Sequence, residues 1–334
     1  MKAIVAYGAK NYRFCEVDTP KVGEGEILIK IEAAGICASD RAVYMGGDPW
    51  GGIESPRVPG HEFVGTVEEI GPGAEKKGFV RGDRVTAECI MPCGKCYYCK
   101  KGLYHLCDDE NGFLEGGFAE YMLLPKNALI HKVSKDIPAV EAALCEPLSC
   151  SAYAVNQTGM GMEDTVVISG LGAIGMGMLQ FALLRNPKRV IGIDTNDALC
   201  EIAKKLGAAE VLNPMKEDVT KRIMGCDIYM EATGNPASVE TGMNCLRKQG
   251  MLFIYSVFKK KAEIDLNQIS EFKELRVIGG HLSPGAFPYT IDCLEKGKIN
   301  AKVMVTDIFA LNEIDEAMSA KKPDRVSIKT VLVP

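Results

Sequence analysis

The chain has 334 residues, of which 47% are hydrophobic and 25% are charged, and its formal net charge is −5. These values are typical of a globular protein of about two domains. Lys and Arg are scattered, which argues against a nucleic-acid or acidic-membrane surface. The sequence has no run of about 18 apolar residues, which a membrane span would need. Its N-terminal residues contain no apolar segment of the kind that directs export. We therefore expect a cytoplasmic protein.

Residues 1–150 predict a β-rich domain. Short apolar segments alternate there with Gly and Pro clusters, which mark turns. The segments are AIVAYG, EILIKIEAAG, HEFVGTVEEIG, DRVTAE and FAEYMLL. Many short strands at this spacing are typical of a compact barrel.

Residues 151–280 predict a different architecture. An apolar strand at 166–169 is followed by a helix at 174–184, and the alternation continues to a last strand at 276–279. About six strands alternating with helices indicate βαβ units and a parallel sheet covered on both faces. Residues 281–334 contain two short helices and a final strand at 329–333. They are too few for a third domain, so we expect them to complete the first one.

Thirteen cysteines stand out in a chain without an export signal, because clustered cysteines in a reducing compartment indicate a metal site. Four of them have the spacing C-x2-C-x2-C-x7-C, namely Cys93, Cys96, Cys99 and Cys107. Four thiolates at this spacing can surround Zn²⁺ at about 2.3 Å each, and the closed shell makes the site structural. Free thiols and an iron–sulfur cluster are the alternatives.

A zinc loop could also belong to a nucleic-acid-binding protein. Lys95, Lys100 and two tyrosines lie in the loop, but the acidic run at 108–110 and the net charge argue against that interpretation.

A second, mixed set of metal ligands lies outside the cysteine loop. Cys37 follows a predicted strand, His61 and Glu62 open another, and Glu146 precedes a proline at the domain junction. Sulfur, nitrogen and oxygen donors with an open position suit a catalytic zinc ion. Each residue alone has an ordinary interpretation, since a single His is usually a satisfied polar group and a Glu is usually a surface charge.

A glycine-rich turn predicts a nucleotide site in the second domain. The sequence Gly170-Leu-Gly172-Ala173-Ile174-Gly175 follows a predicted strand and opens a helix, and Asp194 ends the next strand. This is the context in which G-x-G-x-x-G binds a dinucleotide at a helix N-terminus. An acid at Asp194 suits the ribose hydroxyls and repels a 2′-phosphate, so NAD is favoured over NADP. A Rossmann-like domain that binds another nucleotide is the alternative.

Taken together, these motifs resemble the zinc-dependent medium-chain dehydrogenase/reductase family over essentially the whole chain. The motifs that carry the resemblance, besides the cysteine loop and the glycine-rich turn, are Gly60-His61-Glu62, Gly82-Asp83-Arg84-Val85, Gly116-Gly117-Phe118-Ala119-Glu120-Tyr121 and Glu146-Pro147-Leu148.

The resemblance implies an α/β protein of two domains. Residues 1–150, completed by 281–334, are expected to form a GroES-like β-barrel catalytic domain. Residues 151–280 are expected to form a doubly wound parallel Rossmann domain that binds NAD. The family places the active site in the cleft between the domains, and its members are usually homodimers or homotetramers. Two zinc ions per chain are implied, one catalytic and one structural.

Carried over residue by residue, the resemblance makes Cys37 and His61 ligands of the catalytic zinc ion. Glu62 matches the carboxylate beside the histidine. Glu146 stands where alcohol dehydrogenases have a second cysteine ligand and polyol dehydrogenases have a glutamate, which favours a polyol substrate. Ser39 matches the hydroxyl that relays the substrate proton, although it could instead cap a helix at 40–44. The implied reaction moves a hydride from a secondary hydroxyl to NAD⁺, with zinc as a Lewis acid.

Four residues are expected to contact the substrate. Tyr44, Asp48 and Trp50 belong to a loop that should overhang the zinc ion, and an exposed loop is the alternative. His281 stands where sorbitol dehydrogenases have an Arg-Tyr pair that holds the polyol, so sorbitol itself is doubtful. The loop and the stretch 277–284 are similar to those of erythritol and L-threitol dehydrogenases, which favours a four-carbon polyol.

Two alternative functions remain open from the sequence. An L-threonine 3-dehydrogenase-like or polyol-phosphate dehydrogenase would need a cation for its substrate, and Arg41 and Arg57 are the candidates. Outside the enzymes, a zinc-stabilised nucleotide-binding sensor is conceivable, although it would not need Cys37, His61, Glu62 and Glu146 together.

Overall fold

The computed structural model describes residues 1–48, 55–109, 112–320 and 326–334. They form two compact units. The first comprises Met1–Glu146, Pro284–Lys322 and Lys329–Pro334, and the second comprises Pro147–Ser283 with Pro323–Ile328. The first boundary lies four residues before the expected 150, and the second lies three residues after the expected 280.

The N-terminal part of the first unit consists mainly of antiparallel strands joined by turns and short helices. Its elements are β1 (Lys2–Ala6), β2 (Tyr12–Glu16), β3 (Ile27–Ile36), α1 (Ala38–Tyr44), β4 (Glu62–Ile70), β5 (Arg84–Ala87), α2 (Tyr97–Lys100), β6 (Tyr121–Leu124), β7 (Ile130–Lys132) and α3 (Ala139–Ala142). β1 and β2 form a separate two-stranded sheet.

Strands and helices alternate through the second unit, and the first two residues of its first helix belong to the first unit. The elements are α4 (Cys145–Thr158), β8 (Thr165–Ser169), α5 (Ala173–Leu184), β9 (Arg189–Ile193), α6 (Asp197–Leu206), β10 (Glu210–Leu212), α7 (Val219–Arg222), β11 (Cys226–Glu231), α8 (Pro236–Cys245), β12 (Leu246–Ile254) and β13 (Arg276–Gly279). The six strands are all parallel, in the order β10-β9-β8-β11-β12-β13. This is the doubly wound dinucleotide-binding order, 3-2-1-4-5-6.

The C-terminal residues return to the first unit and complete its main sheet. They form α9 (Phe287–Glu295), β14 (Val305–Ala310), α10 (Ile314–Ser319) and β15 (Lys329–Val333). In the described residues the sheet has seven strands, in the order β14-β15-β3-β4-β5-β7 with β6 also paired to β3. β15 pairs antiparallel with β3, with Thr330 opposite Ile36. The last strand of the chain therefore lies against the strand that leads to Cys37.

The strands that the hydrophobic pattern failed to predict are those with little buried apolar surface. β2 buries only its first residue, and β7 has three residues, of which none is fully buried. β12 begins four residues before the expected 250, because its second to fourth residues are exposed and polar (Arg247, Lys248 and Gln249). The inner strand β8, by contrast, is buried almost throughout and reads as a continuous apolar run. Within the described part of the chain, no helix combines the length and apolarity needed to cross a bilayer.

Candidate metal and nucleotide sites

Three of the predicted catalytic ligands meet where β3 ends and β4 begins. The two strands are antiparallel with Gly35 opposite Glu62, which places Cys37 beside the start of β4. The Cys37 sulfur, a His61 ring nitrogen and a Glu62 oxygen all lie within 4.8 Å of one another. A Cβ atom on Gly35 would collide with the Glu62 carboxylate, so glycine is needed at that position. Thiolate, imidazole and carboxylate together are a donor set that zinc accepts.

Lys329, which the sequence analysis did not single out, holds the Glu62 carboxylate. Its Nζ donates to Oε1 at 2.7 Å and to Oε2 at 2.6 Å. The two side chains are only 4% and 1% exposed. Burial by itself lowers the pKa of Lys329, but the charges of Glu62, Cys37 and Glu146 and the hydrogen bond to Glu62 together raise it above its ordinary value. The two residues therefore form a charged, buried pair.

The buried carboxylate of Asp40, which carries no prediction from the sequence, faces the imidazole of His61 without a direct hydrogen bond to Nδ1. Asp40 Oδ2 accepts a hydrogen bond from the Cys37 backbone N–H at 2.8 Å, and Oδ1 lies 3.8 Å from His61 Nδ1. Burial lowers the pKa of His61, but Asp40 and the contact with Cys37 raise it to about 10. In the metal-free site the imidazole therefore keeps a proton, which a metal ion must displace. A carboxylate behind a ligating histidine is a common way of fixing the ring.

Glu146 lies near this cluster but outside the group of three. It is 4% exposed, in the first turn of α4, and Oε1 accepts a hydrogen bond from the Cys89 thiol at 3.7 Å. Its charge acts on both His61 and Lys329 and raises the pKa of each. Its role as a ligand stays a prediction. Its neighbour Cys89 belongs to no motif in the sequence.

Ser39 lies inside α1 and does not cap it. The helix begins at Ala38 with Cys37 as its N-terminal flanking residue, so the alternative in which Ser39 caps a helix that starts at residue 40 is wrong. Asp40, three residues after Cys37, makes the capping contact instead. Ser39 is partly exposed, and its proton-relay role stays a prediction.

The four predicted structural cysteines converge around α2. The Cys93 and Cys99 sulfurs are 4.0 Å apart, and those of Cys96 and Cys107 are 3.9 Å apart. Zinc–sulfur bonds of about 2.3 Å imply a tetrahedral edge of about 3.8 Å, so the arrangement fits zinc. The backbone N–H groups of Lys95 and Cys99 lower the pKa values of Cys93 and Cys96 respectively, which favours their thiolates. Burial raises the pKa of Cys99 to about 12, so this thiol loses its proton only when a metal ion binds.

The predicted substrate residues have different surroundings. Tyr44 is 7% exposed, its hydroxyl donates to Asp315 at 2.8 Å and its ring packs on Tyr12, so it belongs to the core of the first unit. Asp48 is exposed in the first unit, and His281 is exposed in the second, after β13. Trp50 lies outside the described residues.

The glycines of the second unit have the geometry that a nucleotide turn needs. Gly170 has φ +94°, a conformation that favours glycine, and a Cβ atom on Gly175 would collide with the Gly170 carbonyl. A Cβ atom on Gly172 would meet nothing within 4 Å, which leaves the backbone open to a ligand. Ala173 and Ile174 begin α5, so their N–H groups lie in its first turn.

Asp194 joins the glycine-rich turn to the end of β9. Oδ2 accepts from the Leu171 N–H at 2.7 Å, and Oδ1 accepts from the Asn196 N–H at 2.9 Å. A carboxylate oxygen can accept two hydrogen bonds, so each retains capacity for a ribose hydroxyl. The next acid, Asp197, pairs with Lys216.

Comparison with known proteins shows the family to which the chain belongs. The model of the alcohol dehydrogenase GroES-like domain matches residues 23–135, and that of the zinc-binding dehydrogenases matches residues 173–296. An erythritol/L-threitol dehydrogenase of Mycolicibacterium smegmatis is 41% identical over 100% of this chain and 98% of its own. The chain belongs to the zinc-binding alcohol dehydrogenase family.

Two further relatives show the breadth of the family. An L-threonine 3-dehydrogenase of Pyrococcus abyssi is 36% identical, over 98% of this chain and 96% of its own. The crystal structure of a putative zinc-binding dehydrogenase of Sinorhizobium meliloti bound to NADP has a TM-score of 0.91 and 29% identity, and the match covers 100% of this chain and 99% of that one.

These findings confirm several expectations from the sequence. The chain has the GroES-like and Rossmann-type fold, and it is a zinc-type oxidoreductase of the polyol branch that uses a nicotinamide cofactor.

The buried Lys329–Glu62 pair yields a stability prediction. Lys329→Met leaves a buried carboxylate without its partner, and we expect it to lower the free energy of unfolding by about 3–5 kcal/mol. Urea titration of the metal-free protein measures this loss. Adding Glu62→Gln should recover part of it, because no buried charge then remains.

Lys2→Met is the matched control, since it breaks an ion pair with Glu16 whose side chains are 46% and 77% exposed. This variant should lower the free energy of unfolding by less than about 1 kcal/mol. Equal losses for Lys329→Met and Lys2→Met would contradict a charged, buried pair.

Proposed function

We propose that this chain oxidises a secondary hydroxyl of a small polyol, in particular a four-carbon polyol, to a ketone with NAD⁺ as the hydride acceptor. The observation that carries the proposal is the Cys37–His61–Glu62 cluster, in a chain 41% identical to an erythritol/L-threitol dehydrogenase. We place the reaction in the cytoplasm, because none of the thirteen cysteines forms a disulfide, as expected in a reducing compartment.

Two bound groups would supply the chemistry that side chains cannot: zinc, as a Lewis acid, lowers the pKa of an alcohol, and the nicotinamide accepts the hydride. Cys37 and His61 would hold the ion, with Asp40 fixing the imidazole. Glu62 and Glu146 supply negative charge on the same side of the first unit, and Lys329 offsets that of Glu62. This leaves the site with few fixed ligands and room for a substrate oxygen.

Ser39 is our candidate for the first proton acceptor. Its place in the first turn of α1, two residues after Cys37, puts a hydroxyl close in the chain to a metal ligand. Ser39 Oγ would accept the substrate proton and pass its own onward to solvent. The buried Asp40 cannot easily replace it, because its carboxylate is engaged with the Cys37 N–H and faces His61.

The arginines that could have received an anionic substrate are both engaged. Arg41 donates to the carbonyls of Ala317 and Met318 and to Thr330 Oγ1. Arg57 forms an ion pair with Glu115. Arg41 has no uncommitted guanidinium for the carboxylate of threonine or for a phosphate. The charge of Arg57 is already paired with Glu115, although its buried Nε has no hydrogen-bond partner. This pairing favours a neutral polyol.

Asp194 supports NAD over NADP. Its carboxylate lies at the end of β9 with spare acceptor capacity, and Asp197 adds a second negative charge nearby. A 2′-phosphate would meet like charge there, whereas ribose hydroxyls would find acceptors.

A substrate screen tests the proposed activity. NADH formation with erythritol, L-threitol, sorbitol, L-threonine and a polyol phosphate should give the highest kcat/KM with a four-carbon polyol. Cys37→Ala and Glu146→Ala should abolish turnover, because the metal chemistry is lost, while NADH binding measured by fluorescence is retained.

Cys15→Ala, on β2, is the control and should keep full activity. L-Threonine as the best substrate would replace the polyol assignment. Full activity of Cys37→Ala would exclude the metal site itself.

Asp194→Ala tests the cofactor preference. Removing the carboxylate should lower the NAD-to-NADP ratio of kcat/KM by about tenfold or more, since a like-charge penalty of about 1.4 kcal/mol corresponds to tenfold. Asp197→Ala, which removes a charge three residues away, should change the ratio much less. An unchanged ratio in Asp194→Ala would refute the role of this carboxylate.

We also infer a homo-oligomer, either a dimer or a tetramer, built on the edge of the second unit's sheet. β13 ends that sheet in the described residues, all four of its residues are exposed, and Val277 and Ile278 are apolar. An exposed apolar edge strand presents unpaired backbone groups that a second copy can satisfy.

Light scattering after size-exclusion chromatography tests this assembly. The wild type should have at least twice the chain mass, and Val277→Lys should shift it toward monomer because the charge opposes burial. Ile308→Lys is the control, because Ile308 is an exposed apolar residue on β14 of the first unit. This variant should keep the mass of the wild type. A Val277→Lys variant with the wild-type mass would rule out this edge as the interface.

A further inference from the structure

The position of His61 depends on a seam between two loops of the first unit. We name them loop A (residues 55–61) and loop B (residues 112–118). The N–H groups of Gly116 and Gly117 in loop B both donate to the Gly60 carbonyl in loop A, at 3.0 and 2.9 Å. Gly60 has φ +99°, and a Cβ atom there would collide with the Phe118 ring. The seam therefore leaves little room for either loop to shift.

Loop B also contacts the imidazole itself. The Phe113 ring packs edge-on against His61, with ring centroids 4.9 Å apart. A displacement of loop B would therefore move a wall of the metal site.

A side-chain ion pair crosses the same seam. Arg57 Nη1 in loop A pairs with Glu115 Oε2 in loop B, and the two side chains are only 16% and 18% exposed. Partial burial protects such a pair from screening and makes it costly to break. The proposed reaction gives these two residues no chemical role.

Glu115 is also a second carboxylate close to His61. Its oxygen, an Asp40 oxygen and a His61 nitrogen all lie within 4.8 Å of one another. Two uncompensated carboxylates at this distance repel each other, and the repulsion would push Asp40 from its place opposite Nδ1. The Arg57 guanidinium balances the charge of Glu115, so Asp40 can act as the partner of His61.

We propose that the Arg57–Glu115 ion pair is a positioning element of the catalytic metal site. It ties loop A to loop B and keeps His61 aligned with Asp40, so the site holds its zinc ion tightly. The inference rests on the proposed zinc-dependent function. It makes Arg57 and Glu115 positioning residues that act through His61, and it assigns them no contact with the substrate.

Zinc affinity measured by chelator competition tests this role. Glu115→Gln should weaken zinc binding at the Cys37–His61 site by about 10–100-fold, the range typical of losing a side chain that helps to orient a ligating histidine. The four-cysteine site in the same molecule is the internal control and should keep its zinc ion. In the double variant Arg57→Gln/Glu115→Gln, neither residue of the pair is left as an unpaired, partly buried charge. It should lose zinc affinity at the Cys37–His61 site to a similar extent.

Glu68→Gln is the matched external control. It removes an ion pair with Arg81 whose side chains are 74% and 36% exposed, and it should leave both zinc affinities within about twofold of the wild type. Glu115→Asp retains the carboxylate and should restore most of the affinity lost in Glu115→Gln.

Two results would overturn the positioning role. One is a zinc affinity of Glu115→Gln within twofold of the wild type. The other is an equal loss at both zinc sites, which would mean that the pair supports the fold and not His61. Zinc affinity is measured without substrate. A wild-type protein that oxidises no polyol would therefore refute the proposed function, and the zinc affinities of the variants would still test the positioning role.

Discussion

A buried ion pair joins the last strand of the chain to the metal site. Lys329 and Glu62 are both almost inaccessible, and each Glu62 oxygen accepts from the lysine. Removing two charges from water is costly, so such a pair stabilises a fold less than its short distances suggest. Its value lies in orientation. The lysine fixes a carboxylate beside Cys37 and His61 that would otherwise be free to rotate, and it makes β15 part of the site.

The rest of the metal cluster follows from the same sheet. β3 delivers Cys37, β4 delivers His61 and Glu62, and β15 delivers Lys329 from the other side of β3. α1 starts directly after Cys37, and the turn of the chain there brings Asp40 back toward His61. The result is a site in which Glu62 is paired with Lys329 and Asp40 faces the imidazole of His61. That balance lets several acids stay buried close together.

The glycine-rich turn of the second unit depends mainly on backbone geometry and only slightly on charge. Gly170 and Gly175 let the turn pack closely against α5, and Gly172 leaves an open approach. Asp194 is the exception, because it both joins the turn to β9 and presents a carboxylate where the ribose is bound in this fold. Local structure and cofactor choice therefore depend on one side chain.

The short-range features could be predicted from the sequence. The four-cysteine loop, the glycine-rich turn with Asp194 and the alternation of strands and helices all depend on residues at fixed, small spacings. The backbone between such residues limits where they can lie. Elements with buried apolar residues, such as β8 and β11, were predictable for the same reason. β2 and the start of β12 were not, because their exposed polar residues carry no apolar pattern.

The contacts that tune the metal site were decided by the tertiary structure. Lys329 meets Glu62 across 267 residues, and Glu115 meets Arg57 across 58. The sequence showed a lysine at the start of one apolar strand, Glu62 at the start of another, and Arg57 and Glu115 in loops. Nothing in it indicated which of these charges pair. Tyr44 was assigned to the substrate by its place in a loop, and the packing of α1 put its hydroxyl on Asp315. The sequence by itself determined which chemical groups are present and which neighbours along the chain act together. Strand register and loop packing decided which distant charges meet, because only the folded sheet brings them within bonding distance.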